Sequence, residues 1–235
     1  MSDNFNDNPN EFEDYSNVKE FKWWERIKYL FVNPNELFKS VKFYPSTKLP
    51  IALIIISTLV AAFIEMNTDE FINSIAENMP GMTPSDSVLT GYMILTVILT
   101  PIVPIFIVFF KAFMVNGLAA LVGGDGEYKD AIAIAAYSYV PVAVGRLILT
   151  IIFVASGNPV VDLNLALILP ESMIGSIVYG AFLHFDILII WYQILVLIGA
   201  TYLYEIPKKK AFVPVILPWI VWIILSSGLY VLNHS

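Results

Sequence analysis

The sequence predicts an all-α, polytopic membrane protein with five transmembrane helices preceded by an N-terminal amphipathic helix. Two observations lead there. Of 235 residues, 57% are hydrophobic and 14% charged, where soluble domains have about 45–50% and about 25%, and the mean hydropathy is +0.72. The apolar residues also fall into five runs, and Lys and Arg collect only in alternate connections between them.

The first twenty residues carry six acids and one Lys. They lack the positive start and apolar stretch of a signal peptide, and residues 1–17 read as a disordered acidic tail. Residues 18–48 read as two cytoplasmic helices ahead of a five-span domain at 49–235. In Val18 to Val32, Phe21, Trp24, Ile27 and Phe31 recur at helical spacing with Trp23 beside them, while Lys22, Arg26 and Lys28 occupy the remainder. Aromatics set against cations describe a helix lying on the inner leaflet, or one packed on the bundle ends. Asn33, Pro34 and Glu36 then supply a cap, a proline at the first helical position and an acid three residues after the cap. A short helix through about Phe43 follows.

The spans are expected at Leu49–Met66, Val88–Val122, Ala131–Ala155, Met173–Tyr204 and Phe212–Asn233. The second and fourth exceed the roughly 20 residues a perpendicular crossing needs, and Pro101 and Pro104 kink or tilt the second. Val160 to Pro170 is apolar but too short to cross and is expected to lie on the surface or re-enter. Seven cations precede the first span, Lys129 lies between the second and third, and Lys208 to Lys210 lie between the fourth and fifth. The loops at 67–87 and 156–172 have none. The positive-inside rule therefore puts the N-terminus in the cytoplasm and the C-terminus outside.

Little catalytic chemistry can be assembled. The chain has no Cys and two His, too few soft ligands for a zinc site, and no cofactor is expected. Gly123 to Asp130 lacks the Lys-Ser/Thr ending of a phosphate-binding loop. His184 and Asp186, two apart on an expected helix, point to different faces and form no dyad. The acidic balance does not suggest a nucleic-acid partner. Counting 1.5 Å per residue from the inner boundary places Glu65, Arg146 and Asp186 at a common depth of roughly 22–27 Å. An intramembrane ionic cluster is expected there, since an unpaired charge near a helix centre costs at least ~2.5–3.5 kcal/mol. Arg146 snorkelling outward is the simpler alternative.

Asn33 to Phe38 (NPNELF), Ala136 to Pro141 (AYSYVP) and Trp191 to Ala200 (WYQILVLIGA) occur in an order that resembles the Yip family, the Ypt/Rab-interacting membrane proteins, in its prokaryotic form. The resemblance runs from about Phe21 to Asn233 and rests on Asn33, Pro34, Glu36, Phe38, Tyr137, Ser138, Tyr139 and Pro141. It implies a cytosolic N-terminus, five spans and a non-enzymatic scaffold or adaptor working with membrane lipids and with other membrane or cytosolic proteins. The Asp-Leu-Tyr-Gly-Pro stretch of eukaryotic relatives is absent. The second reading is a small-solute or ion transporter or channel.

Overall fold

The computed structural model describes residues 18–77, 85–157 and 163–234. The expected acidic tail and the start of the Val160 to Pro170 segment lie outside them. Helix α1 (Trp23–Val32) begins where the Glu25 carboxylate accepts the Lys22 N–H at 2.8 Å. Asn33 ends α1 and starts α2 (Pro34–Phe43), its side chain accepting the Glu36 N–H at 3.4 Å. The remaining helices are α3 (Lys48–Glu65), α4 (Asp69–Glu77), α5 (Asp86–Leu121), α6 (Tyr128–Ser156), α7 (Ile177–Phe182), α8 (Ile187–Leu203) and α9 (Lys208–His234).

Among the described residues, four helices, α3, α5, α6 and α9, are long and apolar enough to cross a membrane. Helix α5 runs unbroken for 36 residues through Pro101 and Pro104. The loop after the first span contains α4, whose start uses the Thr68 hydroxyl to accept the Phe71 N–H at 3.3 Å.

The fourth expected span is not a single helix, which corrects the placement of His184 and Asp186 on one. The chain breaks between α7 and α8, and Asp186 caps α8 by accepting the Leu188 N–H at 2.7 Å and the Ile189 N–H at 3.4 Å. A short stretch of the preceding segment takes up further backbone groups at the break. The Ile187 N–H donates to the Leu163 carbonyl at 3.2 Å, and the Leu165 N–H to the Phe185 carbonyl at 3.1 Å. With partners for these groups, the helix can stop without leaving them bare.

Helix α6 packs against α3, α5 and α8. Its Ala131, Ala133, Ala135 and Ala136 are all buried, and side chains this small let helix backbones approach closely in a membrane. Helix α2 inserts Leu37, Phe38 and Val41 into the same core. The approach depends on Gly199 of α8, where a Cβ would lie 2.8 Å from Ile134 Cγ2 and 3.0 Å from Phe38 Cε1. Helices α7 and α8 run antiparallel to α9. Tyr179 stacks on Tyr230 at 5.8 Å, His184 Nε2 lies 2.8 Å from Ser226 Oγ, and Phe185 meets Trp219 edge-on at 5.4 Å.

Candidate functional sites on α1 and inside the bundle

Helix α1 is tied down by a buried arginine. The Arg26 guanidinium donates from Nε to the Phe21 carbonyl at 3.1 Å, from Nη1 to the Tyr137 hydroxyl at 2.9 Å, and from Nη2 to the Tyr44 carbonyl at 2.8 Å. One side chain thus joins the approach to α1, the end of α2 and the N-terminal third of α6. Tyr137 is nine residues into α6, about 13 Å along its axis, and helical side chains lean toward the N-terminus. Helix α1 therefore lies against the flank of the bundle end and not beyond it.

That attachment divides the aromatic set read from the sequence. Trp23, Trp24 and Phe31 are 61%, 50% and 50% exposed. Ile27 is half-buried, and Phe21 is buried, stacked on Tyr29 with centroids 4.3 Å apart. Helical spacing had grouped Arg26 with the solvated cations, but its three acceptors turn it inward, so a different face points out. Lys22 sits over the Trp24 ring at 5.0 Å, adding a cation to the exposed aromatic surface. Glu25 bonds Lys19 at 2.7 Å. That hydrogen bond, with the Lys22 N–H behind it, holds the Glu25 carboxyl below its ordinary range.

Among the remaining motif residues, Asn33, Pro34 and Glu36 shape the α1–α2 corner, and Phe38 is fully buried. Tyr139 meets Tyr192 edge-on at 5.6 Å, and Pro141 is buried inside α6. The Ser138 and Tyr192 hydroxyls are buried and make no hydrogen bond among the described residues.

Away from α1 and α2, Arg146 Nη2 lies 3.2 Å from Asp186 Oδ2; the Asp186 side chain is 4% exposed and that of Arg146 39%. Glu65 reaches the same helix through a different partner, accepting the Thr150 hydroxyl at 2.9 Å. Thr150 is one helical turn past Arg146, so α3, α6 and α8 are joined by two adjacent polar contacts.

A third polar position lies within the second expected span, Val88–Val122. Lys111 is buried and donates to Gln193 Oε1 and to the Val215 carbonyl, each at 2.8 Å. It links α5, α8 and α9 about 15 Å from the C-terminal end of α5. The available signal was a lysine and a glutamine both inside apolar runs, since intramembrane polar groups find each other. Between α3 and α5, an open groove of about 420 Å³ is lined by Ile55, Pro101, Ile102, Ile105 and Phe106. Every lining residue is apolar, which suits a hydrocarbon chain. Among the described residues, no group of three or more His, Cys, Asp or Glu is placed to hold a metal.

The chain matches the Yip1 domain over residues 28–229. It belongs to the Yip family. No curated protein and no solved structure matches it. The Yip1 match runs from the last five residues of α1 through α8 and into α9, ending five residues before that helix does. With four helices able to cross a bilayer, this Yip-family chain is an integral multi-pass membrane protein.

Proposed function

We propose that the protein is a non-enzymatic membrane scaffold that spans the bilayer five times and uses α1 to engage the inner leaflet. The observation that carries the reading is the outward-facing Trp23, Trp24 and Phe31 surface, fixed to the spans through Arg26 and Tyr137. A helix free in solution could leave the membrane, whereas this one is held where the headgroups meet the acyl chains. The cations around it, Lys22 and Lys28 among them, favour anionic lipid. Helices α7 and α8 supply the fifth crossing: together they cover 177–203, and their partners on α9 run from Tyr230 to Trp219. Five crossings put the Lys-rich connections on one side, which the positive-inside rule makes the cytoplasm. The Yip family is not known as an enzymatic one, and the family match lends no support to transport.

The test uses the full chain with Trp191, Trp219 and Trp222 replaced by Phe, leaving Trp23 and Trp24 as reporters. In vesicles containing anionic lipid, lipids brominated near the headgroup should quench them more than aqueous iodide does. Free access for iodide with no lipid quenching would overturn the leaflet role. For topology, cysteines at Glu70 and Lys209 in this Cys-free chain should react with an impermeant reagent from opposite sides. Reaction of both from one side would end the five-span reading.

A further inference from the structure

At the end of the bundle opposite α1 and α2, residues 163–178 expose large apolar side chains although they neither cross the membrane nor form a long helix. Leu163, Leu165, Leu167, Ile168, Ile174 and Ile177 are between 42% and 74% exposed. The segment consists of two 3₁₀ turns, Leu165–Ile168 and Glu171–Met173, followed by the first residues of α7. Irregular backbone is costly near lipid when its polar groups are bare. Here eight of the N–H groups between 165 and 176 donate within the protein. Ala166 donates to the Asn164 side chain at 3.0 Å and Gly175 to the Tyr230 hydroxyl at 3.4 Å.

We infer that residues 163–178 form a second lipid-contacting surface, a foot whose apolar side chains enter the leaflet opposite α1. Lipid is the occupant because the exposed face continues through Ile177 and Val178 of α7 to α9, which packs on α7, is long and apolar enough to cross a membrane, and exposes Leu225, Leu229 and Leu232. Charge separates this surface from α1. No Lys or Arg occurs anywhere from 147 to 207, and Glu171 is the one charged residue between 163 and 178. The foot therefore holds by apolar burial alone and is indifferent to anionic headgroups, whereas α1 carries Lys28 and is preceded by Lys22. The inference needs only the membrane-spanning reading and stands apart from the scaffold role.

The test places single cysteines at Leu167, Ile168 and Ile174 in the otherwise Cys-free full chain, with Glu171→Cys as the water-facing control, each carrying an environment-sensitive dye. Three apolar positions guard against one variant that fails to fold. In vesicles of neutral phosphatidylcholine, dye at the apolar positions should be quenched several-fold more by nitroxide on the lipid acyl chains than by aqueous iodide, with Glu171→Cys showing the reverse. Added anionic lipid or salt should change neither result. Equal iodide access at Ile168 and Glu171 would overturn the inference. Protection that disappears as the protein is diluted in lipid would also overturn it, by showing that a second copy covers the face.

Discussion

Arg26 and Tyr137, 111 residues apart in the chain, meet at 2.9 Å and join the first helix to the N-terminal third of α6. The guanidinium also holds two carbonyls, so each partner removed leaves a buried charge less satisfied. Tyr137→Phe should lower stability by about 1.5–3 kcal/mol, the range for a hydrogen bond to a charged group. Hydrogen exchange in α1 should speed up at the same time. A variant that unfolds earlier yet leaves exchange in α1 unchanged would separate α1 from this contact.

Gly199 should tolerate no side chain. Gly199→Val drives a branched group into Ile134 and Phe38, and overpacking of this kind costs about 1–3 kcal/mol. The unfolding temperature should fall. Truncating Phe38 in the same chain should recover part of the loss, because it removes one of the two clashing groups.

Arg146 and Asp186 should be energetically coupled. A double-mutant cycle with Arg146→Gln and Asp186→Asn should show an interaction of about 0.5–3 kcal/mol. Arg146→Gln should be the more damaging single change, since it leaves the buried Asp186 carboxylate without its cation, whereas asparagine at 186 can still accept the Leu188 and Ile189 N–H groups that cap α8. Strictly additive losses would leave the pair as neighbours without coupling.

Lys111→Met should destabilise the bundle by leaving Gln193 Oε1 and the Val215 carbonyl without their donor, each unpaired group costing about 1–3 kcal/mol. Adding Gln193→Leu should return part of that loss by removing one of the bare acceptors. Thermal unfolding of the unaltered protein, the single and the double variant in one detergent or lipid decides it.

Acid should loosen the first turn of α1. The folded Glu25 carboxyl titrates below its ordinary value, so its contribution is present above the unfolded-state value, about 4.3, and is lost as pH falls through the folded one. Trp23 and Trp24 emission should change in that window. Glu25→Gln should flatten the response.

Much of the fold was legible because apolar run length and Lys placement report directly on a bilayer. The helices α3, α5, α6 and α9 lie within a few residues of the expected spans, and Asn33, Pro34 and Glu36 form the corner that capping chemistry describes. Broken helices and buried cations were harder to read. Nothing in the run Met173 to Tyr204 marks its interruption except Asp186, a residue equally at home as a cap or an ion-pair partner. Arg26 looked like part of a solvated face because periodicity counts positions and knows nothing of the Tyr137 hydroxyl, which arrives from another helix. The depth count brought Arg146 and Asp186 to one level, but it could not see that Thr150 would engage Glu65.

The unequal helix lengths act on the surroundings. Helix α3 has 18 residues, about 27 Å, and its neighbour α5 has 36, about 54 Å. A hydrocarbon core of roughly 30 Å fits the first and falls far short of the second. Around one circuit of the protein, lipid tails must therefore compress beside α3 and stretch beside α5, unless α5 leans steeply. An upright α5 gives the annulus a thickness gradient and a leaning one exchanges that gradient for tilt, so membranes of different thickness would bear different elastic loads in holding the protein.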